Sequence, residues 1–336
     1  MTSETVYADQ VLRAHSWRAL TPGPRLLVLG AVHGNETCGT QAIERVLREF
    51  DAGARTLARG SVTFVPVTNP LAYRRGQRMG DRNLNRNLHP TRDPVDNEDR
   101  IANVLCPLLA EHDVLLDLHS FHSPGEPFAM IGPPDNSGAL EPFAHARDEE
   151  ALALRLGPRR IVEGWLETYA GGVKNRLQRT SANPDERAHL LNTDPSYGLG
   201  TTEYMRSRGG YAITLECGQH ADPQAPEVAY RAIRNTLAFL ALVDEPAPAA
   251  RDDVELLCLV EVTDRLHADD RFAREWSSYQ PLRAGELIGR RADGTELCSP
   301  GDGFIVFPNP GALPGNEWFY FARRSARRLR AEAAAR

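Results

Sequence analysis

Four short apolar runs punctuate the first two thirds of the chain: RLLVLGAV (25–32), SVTFVPV (61–67), DVLLDLH (113–119) and YAITLEC (211–217). Continuous apolar runs of this length read as buried strands, since a half-exposed strand would alternate. Between the first two, residues 36–50 place Ile43, Val46, Leu47 and Phe50 at helical spacing. This alternation predicts an α/β domain with a mixed, largely parallel sheet flanked by helices.

Residues 151–210 are less regular. An apolar helical stretch around Ile161 to Tyr169 leads into a Gly, Asn and Pro-rich segment, which reads as a long excursion able to cover a site. Pro226 to Leu242 predicts a closing helix, and DEPAPAARDD (244–253) has the composition of a linker. The expected division is a catalytic domain over 1–245 and a small C-terminal β-domain over 246–336. In the second part, short apolar runs alternate with Gly, Asp and Pro turns and show no long helical pattern. SARRLRAEAAAR at the C-terminus reads as a solvated tail rather than a basic binding helix.

A hydrophobic share of 41% over 336 residues suffices for a core. The net charge of −6, with no long basic stretch, disfavours a nucleic-acid partner. Lys174 is the only lysine among 39 basic residues, so a lone arginine says little and each must be argued by its position. Five scattered cysteines without a C-x-x-C pair suggest neither a disulfide framework nor a thiolate metal site. No window reaches the length of a membrane span and no secretory leader is visible, so a cytoplasmic protein is the default expectation, free to form a homo-oligomer.

Candidate chemistry gathers at the ends of the predicted strands. In LGAVHGNETCG the first strand runs into a Gly-flanked turn carrying His33 and Glu36, an imidazole and a carboxylate within reach of one cation. In DVLLDLHSFH a second strand ends at His119, with His122 as a rival ligand and Asp117 as a candidate outer partner. Ligands of open α/β sheets collect at carboxyl ends of strands, which favours His33, Glu36 and His119 as a three-ligand set. YAITLECGQH presents Glu216 at the end of a third strand, suited to take a proton from water and return it to a leaving nitrogen. GQRMGDRNLNRNLHP carries Arg78, Asn85 and Arg86 in a turn that sequence alone does not place near the others.

The ordered motifs H-G-N-E, N-L-N-R, D-L-H-S and L-E-C-G resemble the succinylglutamate desuccinylase and aspartoacylase family, itself related to the zinc carboxypeptidases. The resemblance runs from about residue 25 to 220. It implies one zinc per chain at His33, Glu36 and His119, Glu216 as catalytic acid/base and Arg78 as the oxyanion-stabilising group. Asn85 and Arg86 are implied to hold a substrate carboxylate. Arg206 is implied as the grip on a second carboxylate, with Arg208 an equally close neighbour, and Tyr320 as a substrate contact from the β-domain. Family members often read D-x-D-L-N-R where this chain has Asp81-Arg82-Asn83-Leu84-Asn85-Arg86, a departure that need not touch the zinc but is expected to alter how Arg86 is oriented or which substrate fits.

The function implied is zinc-dependent deacylation of a small N-acyl amino acid bearing a carboxylate. A zinc peptidase acting on a peptide end and a non-enzymatic binding protein on the same fold are the alternatives.

Overall fold

In a computed structural model, residues 10–182 and 194–333 are described. The predicted runs form strands β2 (Arg25–Leu29), β3 (Ser61–Val65), β4 (Val114–Phe121) and β7 (Tyr211–Gln219), joined side by side in the order β3-β2-β4-β7, all parallel. Every residue of β3 and β4 is buried. Helix α1 (Cys38–Asp51) turns Ile43, Val46, Leu47 and Phe50 onto one face of this sheet, beside α7 (Ala225–Phe239). Helix α3 (Asn97–Ala110) covers the other face with Ile101, Leu105 and Leu109. The sheet is thus a parallel core between two helical layers, as its uninterrupted apolar strands require.

Three shorter strands extend it. On one edge β1 (His15–Arg18) runs antiparallel to β3. On the other, β5 (Phe128–Met130) lies antiparallel to β7, and β6 (Arg160–Glu163) parallel to β5. Ile161 and Val162 therefore sit in a strand, and the expected helix begins only at Trp165, as α5 (Trp165–Ala182). Gly164, at φ +83°, makes the turn between them. Part of the expected excursion, 183–193, lies outside the described residues. The rest of it is ordered, as a 3-10 turn (Pro195–Gly198) and α6 (Thr201–Ser207).

Beyond residue 246 the chain forms β8 (Glu255–Asp264) through β14 (Glu317–Arg324), with no helix among the described residues. The large sheet does not stop there. β8 pairs parallel with β6, and β14, β13 (Gly303–Val306) and β10 (Gln280–Leu282) are added antiparallel, completing eleven strands. A separate three-stranded sheet is built from β9 (Arg271–Phe272), β11 (Leu287–Arg290) and β12 (Glu296–Cys298). The C-terminal segment is not a free tail. Arg327 donates to Glu150 of α4 (Ala146–Ala153), to Glu163 and to the Gly132 carbonyl, and Arg330 donates to Glu150, strapping the segment back against α4 and the end of β6.

Candidate metal centre and substrate cleft

After β2 the backbone turns sharply at Ala31, whose φ of +46° is unusual for a residue with a side chain. The turn is pinned on both sides: Thr68 donates to the Gly30 carbonyl (2.9 Å) and Asn69 to that of Ala31 (3.0 Å). Strain held this way is frequent where a site must be aimed. Gly34 then passes so close to α2 (Pro70–Arg75) that a Cβ would lie 2.0 Å from the Ala72 carbonyl carbon, which only glycine permits.

These constraints bring His33 and Glu36 against His119 of β4. All three are at least 97% buried, and one candidate ligand atom from each lies within 4.8 Å of the others. His33 Nδ1 is 2.9 Å from Glu36 Oε1, and His119 Nδ1 is 2.8 Å from Glu36 Oε2. His122 is exposed beside His220 and stands outside the cluster.

The tautomer of His33 can be read from its neighbours. Its Nε2 is 2.9 Å from Asn83 Oδ1, and that oxygen also accepts the Asn85 backbone N–H (2.9 Å), which fixes which end of the amide faces the ring. Nε2 therefore carries the proton, and Nδ1 points a bare lone pair at the Glu36 carboxylate. Buried Nδ1 has no hydrogen-bond partner. Two acceptors facing each other at 2.9 Å repel unless a cation lies between them, so the residues fit a metal ion with nitrogen and oxygen ligands.

The electrostatics of His33 agree. Burial, with the Arg78 charge nearby, pushes His33 down to about 4, leaving it neutral as a ligand must be. Burial opposes charge on His119, yet Asp117 and Glu36 hold it well above the usual imidazole range. Asp117 lies 3.0 Å from His119 Nε2 and accepts the Thr201 hydroxyl from the start of α6.

Glu216 is in register with His119 on β4 and with Phe128 on β5, so these side chains share the same face. Glu216 is 8% exposed, and its Oε2 has no partner. Burial first, and then the Glu36 charge, push it up to about 8. Arg78 reaches the cluster from the turn after α2, donating to Glu36 Oε1 (2.9 Å) from a half-exposed position.

Asn85 and Arg86 follow Asn83 in the turn that touches His33. Asn85 Oδ1 accepts the Thr201 N–H (2.8 Å), leaving its Nδ2 without a partner among the described residues. The Arg86 guanidinium donates to the Asn85 carbonyl and lies 4.8 Å over the Trp165 ring and 5.4 Å from that of Tyr169. Tyr320 packs on Trp165 at 5.5 Å with its buried hydroxyl unpartnered. Glu317, 3.5 Å from Arg86, was not legible as a site residue. A bulge between Glu317 and Phe319 sends Trp318 and Phe319 into one apolar cluster and turns Glu317 to the face of Tyr320, which strict alternation would deny it.

Arg206 requires a correction. It is buried inside the fold and gives its donors to Glu149 (3.0 Å), Glu141 (2.7 Å) and the Ala212 carbonyl (2.7 Å), so it does not present a fork to substrate. Arg208 is exposed at the opposite end of α6 from Thr201. The spacing of ten residues before Glu216 misled because α6 and its turn consume it. Asn83, expected to alter Arg86 or the choice of substrate, also touches the candidate metal cluster through His33.

Fold and site define a class of architecture: a parallel-cored α/β domain with a buried His-Glu-His cluster at the carboxyl ends of its strands. Residues 22–125 match the succinylglutamate desuccinylase/aspartoacylase catalytic domain. The succinylglutamate desuccinylase of Pseudomonas aeruginosa strain UCBPP-PA14 is 25% identical over 312 residues, 87% of this chain and 82% of that protein. Among solved structures, the product-bound ectoine utilization protein EutE (DoeB) from Ruegeria pomeroyi superposes with a TM-score of 0.68 at 21% identity, covering 92% of this chain and 88% of its own. A succinylglutamate desuccinylase/aspartoacylase from Rhodobacter sphaeroides gives 0.68 at 18% identity, covering 94% and 90%. In its catalytic region and in its fold the chain is similar to the succinylglutamate desuccinylase/aspartoacylase family, whose members are N-acyl amino acid deacylases. Among the described residues no helix is long and apolar enough to cross a membrane.

Proposed function

We infer that the chain is a zinc-dependent deacylase that hydrolyses the amide bond of a small N-acyl amino acid with a free carboxylate, in the cytoplasm. The observation that carries the metal is the bare His33 Nδ1 facing Glu36 at 2.9 Å. His33, Glu36 and His119 would hold the ion, which when bound supplies a Lewis acid for the amide carbonyl and lowers the pKa of water.

The remaining steps belong to the chain's own residues. Glu216, the buried carboxyl beside the cluster, takes the proton of the attacking water and returns it to the departing amine nitrogen. Arg78, half-exposed and already within reach of Glu36, faces the oxygen that gains charge in the transition state. Arg86 and the free Nδ2 of Asn85 hold the substrate carboxylate, and Trp165 and Tyr320 wall the cleft beside them. With Arg206 engaged elsewhere, recognition of a second carboxylate is not assigned to it.

The test is to incubate the zinc-loaded protein with N-acetyl and N-succinyl amino acids, their carboxamides and short peptides, and to identify the released amine. Turnover of the free acids, lost on chelation and restored by zinc, is expected. Turnover of peptides alone, or of none, would overturn the reading.

A further inference from the structure

We propose that Asn83 is a positioning residue that ties the orientation of the metal ligand His33 to the placement of the substrate-binding turn Asn85–Arg86. This rests on the metal site proposed above and concerns how one acceptor atom serves both halves of the cleft. Asn83 Oδ1 receives two hydrogen bonds of 2.9 Å, from His33 Nε2 and from the Asn85 backbone N–H. The first sets the His33 tautomer and ring angle. The second closes the turn from which Asn85 and Arg86 project. A movement of the amide therefore displaces ligand and substrate arm together.

The turn is rigid enough to transmit this. Leu84, between the two asparagines, is fully buried in the core under α3. Just before it, the Glu98 carboxylate collects the backbone N–H groups of Gly80, Asp81 and Arg82 (2.9, 3.1 and 3.2 Å). Arg82 is held by Asp96 and Asp99 and donates onward to the Arg86 carbonyl (2.8 Å). With the backbone fixed on both sides, Asn83 has little freedom other than to face His33.

Its neutrality has a consequence of its own. A hydrogen bond from an imidazole N–H to a carboxylate is roughly twice as strong as one to an amide oxygen, and it raises the basicity of the ligating nitrogen. This chain, with an amide where a carboxylate would fit, therefore holds its metal less tightly than its fold allows. Outer partners of this kind typically change metal affinity by about 10–100-fold when removed.

The experiment compares wild type, Asn83→Ala and Asn83→Asp for zinc affinity by chelator competition and for KM on an N-acyl amino acid. Asn83→Ala should weaken zinc about 10–100-fold and raise KM, because both donors lose their acceptor. Asn83→Asp, nearly identical in shape, should restore KM to within about threefold and bind zinc roughly 10-fold tighter than wild type. If Asn83→Ala binds zinc within twofold of wild type, or if Asp weakens zinc as much as Ala does, the coupling does not exist. A wild-type protein that binds no zinc would remove the proposed metal site as well, which separates the two failures.

Discussion

Gly200→Ala tests the substrate arm without touching any group that carries chemistry. Gly200 precedes α6 with φ −116° and ψ −155°, close to extended backbone and outside the left-handed region that favours glycine, so the collision of the new side chain dominates the result. A Cβ there would lie 1.9 Å from Asn85 Oδ1 and 2.7 Å from its Cγ, far inside contact distance. The Asn85 side chain must swing away, and it then abandons the Thr201 N–H at 2.8 Å. A buried donor left unmatched costs about 1–3 kcal/mol, and a similar loss of substrate alignment corresponds to roughly 5- to 150-fold in binding. The expected outcome is full zinc content, KM raised at least about fivefold, and a lower unfolding midpoint. In an Asn85→Ala background the same substitution should cost little, since the collision partner is gone. Unchanged KM and stability in the single variant, or equal damage in both backgrounds, would refute the proposed collision.

Other outcomes rest on the same geometry. His119→Ala should lose bound zinc by metal analysis of the purified protein; unchanged content would remove His119 from the ligand set. Glu216→Gln should retain zinc and fold yet lose about 10²–10⁴-fold in kcat, and activity within a few-fold of wild type would exclude it as acid/base. Arg86→Ala should lose efficiency strongly on free-acid substrates while barely altering their carboxamides, and equal losses on both would mean that Arg86 serves only the fold. In metal-free protein, Glu216 raised to about 8 keeps a proton that the unfolded chain releases near 4.5. Stability should therefore fall as pH rises across that window, more steeply in wild type than in Glu216→Gln when denaturant midpoints are compared in chelator. Equal slopes would place the proton elsewhere.

The parallel core was legible because each of its strands is apolar on both faces, and that pattern has few alternatives. His33, Glu36, His119 and Glu216 were legible because they stand at or beside the ends of those strands, where sequence position and spatial position coincide. The substrate side was less so. Trp165 and Tyr169 reach Arg86 from a helix whose first residues looked continuous with the strand before it. Glu317 depends on one extra residue in β14, and a bulge leaves no mark on an alternating pattern. Arg206 shows the converse: correct spacing along the chain, cancelled by three acidic neighbours from other segments and its own helix, Glu141, Glu149 and Glu203.

The parallel pairing of β6 with β8 limits how this chain can be shortened. A version ending near residue 246 would leave the four residues of β6 as an uncovered edge, with backbone donors and acceptors open to any strand that meets them. It would also strip the aromatic cover of Phe307 and Tyr320 from Phe128 and Trp165. The expected fate of such a fragment is self-association through that edge, visible as concentration-dependent growth in light scattering. The later strands would then act as a guard against aggregation as much as a wall of the cleft, which ties this half of the chain to the survival of the other.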